Sequence, residues 1–284
     1  MSNTYLMNLF ARLQGRYWRM LGKAHARVEP FLPGRRQEGG SNEARKIIIH
    51  YHNFKSAGTS IDYILQKNFG SRWTEWDEGH DPDAIVRLML KRPSLKALSS
   101  HTVAIRLPEH PGYQFFPIVF LRHPIDRAVS MYRFYNQYRR HPGKEAEMAR
   151  QTDLSGFIEW QLERGRDYRN YYTMRLSQWN TGPEASGLGE FERARRTLSE
   201  LPFVGLVDRF EASLESLADY LGPHFPGFQI YSVQANVTAK SEVPLDQRLG
   251  KLRKDIGETV YERLNAANLD DTALYEILLA RYSP

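Results

Sequence analysis

Lys46-Ile47-Ile48-Ile49-His50-Tyr51-His52-Asn53-Phe54-Lys55-Ser56-Ala57-Gly58-Thr59-Ser60-Ile61-Asp62-Tyr63-Ile64-Leu65 decides the fold. A β-branched run reads as a strand, a turn of small residues follows, and an apolar helical pattern comes next. Strand, small-residue turn and helix in that order aim backbone N–H groups at an anion. Lys55 adds a point charge to the same place. Residues 50–60 therefore predict a site for a phosphorylated cofactor or nucleotide. The turn is not a Walker loop, because its lysine precedes the glycine and no upstream glycine stands at the required distance.

A second stretch repeats the arrangement. Phe116-Pro117-Ile118-Val119-Phe120-Leu121 reads as a buried strand, and it runs into Arg122-His123-Pro124-Ile125-Asp126-Arg127-Ala128-Val129-Ser130. Pro124 suits the first turn of a helix, where its missing N–H costs nothing. Arg122 then stands at the strand's carboxyl edge, with Ser130 two turns into the helix. A guanidinium fork and a hydroxyl are suited to a second phosphate. The alternative is that Arg122 pairs with Asp126 and Ser130 only packs.

The two stretches together resemble the PAPS-dependent carbohydrate O-sulfotransferases, in particular the heparan sulfate 2-O-sulfotransferase branch. That family has a 5′-phosphosulfate loop of the form His-x-Pro-Lys-Thr-Gly-Gly-Thr-Ser, matched here by His52-Asn53-Phe54-Lys55-Ser56-Ala57-Gly58-Thr59-Ser60. Its 3′-phosphate segment, Arg-Asp-Pro-x-x-Arg-x-x-Ser-x-Tyr, is matched from Arg122 to Tyr132. Phe54 replaces a proline and His123 an aspartate. Phe203–Phe210, Asn236-Val237-Thr238 and Leu269–Tyr275 resemble later family elements in the right order.

The resemblance implies a three-layer α/β sandwich with a central parallel sheet, the P-loop-NTPase-like sulfotransferase fold. It implies PAPS (3′-phosphoadenosine 5′-phosphosulfate) as donor and adenosine 3′,5′-bisphosphate (PAP) as product. Lys55, Ser56, Ala57, Gly58, Thr59 and Ser60 would hold the 5′ side, with Lys55 stabilising the leaving phosphate. Arg122 and Ser130 would hold the 3′-phosphate, which Lys240 would reach from a loop.

For the general base the choice is His101, which ends the run Leu95–Ser100 and matches the branch's histidine after the corresponding strand. Its ordinary pKa suits proton abstraction near neutrality. Glu75, Asp77 or Glu78 is the reserve, although a charge cluster such as 75–81 reads by default as a solvated turn. His50 and His52 share a strand face, which with His101 raises a metal site; none is expected, since the transfer needs no metal. Arg127 reads either as a cofactor contact or as one half of a helix-surface pair, the second being preferred. Two rival functions remain: a kinase-like nucleotide phosphotransferase, and a non-catalytic nucleotide-binding module.

The bulk properties agree. With 284 residues and 41% apolar composition, the chain can bury one large α/β domain. A net charge of +6 suits an anionic cofactor and an acidic acceptor, and no motif points to nucleic acid. The absence of cysteine excludes disulfides and thiolate chemistry. No stretch is long and apolar enough to predict a membrane span, so the expectation is a cytoplasmic protein of the bacterial soluble type. Residues 1–43 read as an amphipathic basic helix and a linker. That helix packs on its own domain or a second subunit, or contacts the inner face of a membrane peripherally. Residues 44–284 form the sulfotransferase domain. The acceptor class is a glycan or glycolipid; oligomeric state is left open.

Strands are predicted at 46–52, 97–100, 117–121 and 203–207. Helices are predicted at 59–68, 81–91, 124–139, 152–164, 188–199, 210–221 and 246–281, with a break near Asn268. Residues 140–150 and 165–187 read as irregular and basic.

Overall fold

The computed structural model describes residues 44–137, 143–164, 168–179, 182–232 and 243–282. The expected N-terminal helix, Asn236-Val237-Thr238 and Lys240 lie outside the described residues.

Five strands form one parallel sheet: β1 (Arg45–Tyr51), β2 (Trp73–Glu75), β3 (Ala97–Ser100), β4 (Tyr113–Leu121) and β5 (Val204–Leu206). Their order is β2-β3-β1-β4-β5. β1 is central, and its residues from Ile47 to Tyr51 are all buried, as a strand covered on both faces requires. β1 pairs with β4 over Arg45↔Tyr113 to Tyr51↔Val119, and with β3 over Ile48↔Ala97 to Tyr51↔Ser100. β3 and β4 thus leave on opposite sides of β1, and the crevice at its carboxyl end is where such sheets bind ligands.

Strand alternation sorts the core into two layers. Ile47, Ile49, Tyr51, Val119 and Leu121 pack on one face against α2 (Asp83–Lys91), α6 (Tyr171–Leu176), α7 (Glu190–Glu200) and α11 (Leu269–Leu279). Ile48, Phe116, Ile118 and Phe120 face α1 (Gly58–Phe69) and α8 (Phe210–Leu221). The expected three-layer α/β sandwich is the observed one. Two satellite cores join α3 (Pro124–Gln137) to α4 (Lys144–Gln151) and α5 (Leu154–Leu162), and to α9 (Leu245–Ile256) and α10 (Glu258–Ala266).

Four elements depart from the pattern read in the sequence. β2 is only three residues long, an edge strand that ends at Glu75, where the supposed solvated turn begins. α4 and α6 occupy segments read as irregular: α4 is mostly polar with Ala146 and Ala149 buried, and α6 has too few residues to display a period. The predicted long C-terminal helix breaks at Gly257 (φ 80°) as well as before α11. A left-handed residue there is cheap only for glycine.

α6 and α11 cap each other. Asp271, fully buried, accepts from the N–H groups of Tyr172 and Thr173 and from Thr173 Oγ1, at 2.8–2.9 Å. Asn170 returns the bond, its Oδ1 accepting from Asp271 N at 3.2 Å. Removing the carboxylate strands two buried N–H groups and a hydroxyl. Asp271→Ala is therefore expected to cost about 2–4 kcal/mol, read as a lower urea midpoint, with Asp271→Asn losing less.

Candidate active site

β1 ends at Tyr51, and the chain turns through Lys55 and Ala57 into α1. Lys55 (φ 64°) and Ala57 (φ 62°) are both left-handed, with Ser56 between them. Left-handed residues alternating in a turn gather successive N–H groups into a concave anion cradle. Neither is glycine, so the loop holds strain of a kind that clusters at functional sites. α1 has no side-chain cap and no acid in its first turn. Its first N–H groups are left for an incoming anion.

β4 ends beside it, at Arg122. One hydroxyl joins the two exits: Tyr172 Oη lies 2.8 Å from Ser56 Oγ and accepts from Arg122 N at 3.1 Å. Asn53 adds a second tie, Nδ2 donating to Phe120 O at 3.2 Å. Ser130, from α3, is buried.

Both charges expected at the site are present in strained electrostatic settings. Burial, with repulsion from Arg122, pushes the Lys55 ammonium down to about 8. Its Nζ lies 4.6 Å from the Phe134 ring centre, a cation–π contact. Arg122 Nε donates to Asp126 Oδ2 at 2.6 Å, so the pairing weighed in the sequence does form. It does not end there, because Arg248 also bonds Asp126 and Asp208. Burial would raise the Asp126 carboxyl, yet Arg122 and Arg248 outweigh it and hold the group below its ordinary range. Burial lowers His123 to about 4, so the ring is neutral near pH 7. It packs edge-on to Tyr275, whose hydroxyl donates to Asp208.

Arg127 corrects its sequence reading. It is 3% exposed, and its guanidinium lies 4.4 Å from the Tyr171 ring centre and 5.6 Å from that of Tyr172. Arg175 is likewise buried.

The third part of the site lies on the α1 side. His101 follows β3, its N–H donating to Asp77 Oδ1 at 2.7 Å, while Ser100 Oγ donates to the same oxygen at 3.2 Å. Of the reserve carboxylates, Asp77 thus anchors the His101 loop, and Glu75 and Glu78 are exposed. The His101 and His52 ring centres are 3.8 Å apart. Burial and the neighbouring His52 push the His101 imidazole well below its ordinary value. Asp62, a position the sequence reading passed over, accepts from both His50 and His52 at 2.9 Å. The signal was there in the spacing: Asp62 falls among Gly58, Ile61 and Leu65 on the buried helix face. Donor atoms of His50, His52 and Asp62 lie within 4.8 Å of one another, but the two N–O distances are those of charge-assisted hydrogen bonds. Tyr172 was missed because its segment reads as irregular.

A cavity of about 380 Å³ opens at the other end of the sheet, lined by Arg45, Lys46, Arg72 and Lys96 beside Phe69 and Phe225. It adjoins the amino ends of β1 and β3, away from the phosphate loop.

The sulfotransferase family model matches residues 43–277, and the chain belongs to that family. It is thus an enzyme of sulfuryl transfer, and the family's donor is PAPS. An uncharacterised protein of Archaeoglobus fulgidus is 32% identical over 253 residues, covering 84% of this chain and 98% of that one. The crystal structure of mouse sulfotransferase SULT7A1 complexed with PAP aligns at a TM-score of 0.37 and 18% identity. The match covers 70% of this chain and 64% of that one, so the chain spans under two thirds of that structure. Among the described residues no helix is long and apolar enough to cross a membrane.

Gly58 tests the loop's construction. A Cβ there would lie 1.9 Å from Cδ2 and Nε2 of His52. Gly58→Ala is expected to displace the His52 ring and weaken PAP binding roughly tenfold, ~1.4 kcal/mol, by calorimetry. Gly79→Ala, whose Cβ meets nothing within 4 Å, should leave affinity unchanged.

Proposed function

We propose that the chain is a PAPS-dependent O-sulfotransferase acting on a hydroxyl of a carbohydrate, free or lipid-linked. The observation that carries this reading is the meeting of two strand exits, one bearing Lys55 in an anion cradle and the other Arg122, tied by the Tyr172 hydroxyl. Lys55 feels the charge of Arg122, and two cations held close in a buried crevice favour a ligand with more than one anionic group. A donor phosphorylated at both ends of its ribose has that character.

The residues fit the donor. The N–H groups after Ala57, with the Thr59 and Ser60 hydroxyls, would hold the 5′ side; Arg122 and Ser130 would hold the 3′-phosphate. Bound PAPS would supply the sulfuryl group to the acceptor oxygen, with its 5′-phosphate oxygen as the leaving group. His101, neutral at pH 7, takes the acceptor's hydroxyl proton onto its ring nitrogen. Lys55 meets the negative charge that develops on the departing phosphate oxygen. His101 then releases its proton to solvent. The net positive charge and the likeness of Arg122–Tyr132 to the carbohydrate branch support a sugar acceptor that carries acidic groups.

Calorimetry with PAP, 5′-AMP and ATP–magnesium tests the donor site. Preference for PAP is expected; equal affinity for 5′-AMP would remove Arg122 and Ser130 from the 3′ role, and preference for ATP–magnesium would favour a phosphotransferase. His101→Ala should keep PAP affinity and lose about 10²–10⁴-fold in turnover against a glycan panel; unchanged turnover excludes His101 as base.

Binding should also depend on pH. An anion beside Lys55 raises the pKa that burial and Arg122 have lowered to about 8. PAP binding is then accompanied by proton uptake near pH 8, and affinity falls as pH rises through that value. Buffers of different ionisation enthalpy would reveal the uptake, and Lys55→Gln should abolish it.

A further inference from the structure

Asp62 is a carboxylate at 7% exposure on a helix face otherwise given to packing. Its two oxygens serve two different rings, Oδ1 at 2.9 Å from His50 Nδ1 and Oδ2 at 2.9 Å from His52 Nδ1. His50 Nδ1 also lies 3.1 Å from Ser99 Oγ, which accepts from Trp73 Nε1. His50 is therefore fixed at its Nδ1 edge by Asp62 and Ser99 together, and with it one end of the Asp62 carboxylate.

We propose that Asp62 is a positioning residue of the transfer site, locking the His52 ring between Gly58 of the phosphate loop and the ring of His101. This rests on the sulfotransferase reading, in which His101 is the base. The three contacts that define the lock come from three elements: Asp62 from α1, His52 from the end of β1, and His101 from the end of β3. With its Nδ1 proton committed to Asp62, His52 turns its Nε2 edge to Gly58, where a Cβ would sit 1.9 Å away. Its face lies against His101, 3.8 Å between centres at 37°. A carboxylate that orients an imidazole fixes its tautomer as well as its direction.

The lock decides where a proton resides. His52 is faced by His50, Asp62, Glu75, Asp77 and His101. Burial alone would strip its proton, but Asp62, backed by Glu75 and Asp77, holds its pKa above the ordinary value. His101 goes the other way, driven down by burial and then by the charge of His52. Two rings stacked this closely resist both being charged. Asp62 places the proton on His52, leaving His101 a free lone pair for the acceptor hydroxyl. The imidazolium lies directly under the loop that would hold the 5′-phosphate, adding positive charge where the leaving group departs.

The test is a histidine ¹⁵N–¹H correlation spectrum of the full chain from pH 5.5 to 8.5, assigned by His→Gln variants. At pH 7 the expected result is His52 protonated on both nitrogens and His101 neutral. Asp62→Asn should move the His52 transition down and the His101 transition up, each by about one pH unit or more. If that variant does not fold, His52→Gln should by itself raise the His101 transition. A wild-type His52 that is neutral at pH 7, or a His101 transition indifferent to both variants, overturns the proposal. PAP calorimetry on the same wild-type sample separates the two readings. Absent PAP binding with an intact histidine pattern overturns the donor site and leaves the lock, whereas PAP binding with a neutral His52 does the reverse.

Discussion

The Tyr172 hydroxyl is the joint on which the site depends. In the proposed donor site, two motifs separated by some sixty residues are useful only if their spacing is fixed to a fraction of an ångström. Pairing of β1 with β4 sets that spacing coarsely. Tyr172 sets it finely, holding Ser56 Oγ of one motif and the Arg122 N–H of the other. The tyrosine is itself held from below, because α6 is capped by Asp271 of α11. Burial raises its phenol to about 12, so it stays a neutral hydroxyl, able to donate and accept at once.

Around that joint the charges are arranged for an anion. Arg122, Asp126, Arg248 and Asp208 form an alternating chain running away from the crevice. It orients the guanidinium of Arg122 while leaving Lys55 exposed to its charge, which adds to burial in lowering the Lys55 pKa. The left-handed Lys55 and Ala57 show the same economy in the backbone. Their conformation is disfavoured for residues with a Cβ and persists because Tyr172, Asn53 and the packed α1 over-determine it.

Much of this was readable in the sequence, for reasons that differ by element. The four longer or better-patterned strands and most helices were visible because apolar runs and 3.6-residue periods are local properties. The two strand–turn–helix units that carry Lys55 and Arg122 were visible because turn chemistry and charge are local too. β2 was hidden by its three residues and by the acids after it, and α6 by its six residues. The buried states of Arg127 and Arg175 could not be read, since composition places arginine outside; for Arg127 the Tyr171 and Tyr172 rings reveal otherwise. Asp62 had the spacing of a core position but the chemistry of a surface one. The partner that resolves that contradiction, His52, was already in view for another reason.

The mutual capping of α6 and α11 also has a consequence for how the protein is made. Both phosphate motifs are synthesised by residue 130, and the strands that carry them can pair soon after. Asp271, which seats Tyr172 between them, is synthesised about 140 residues later. A nascent chain that has not yet reached α11 carries both halves of the proposed donor site without the clamp that aligns them. Docking of α11, rather than pairing of β1 with β4, is then the step that brings the two halves into register.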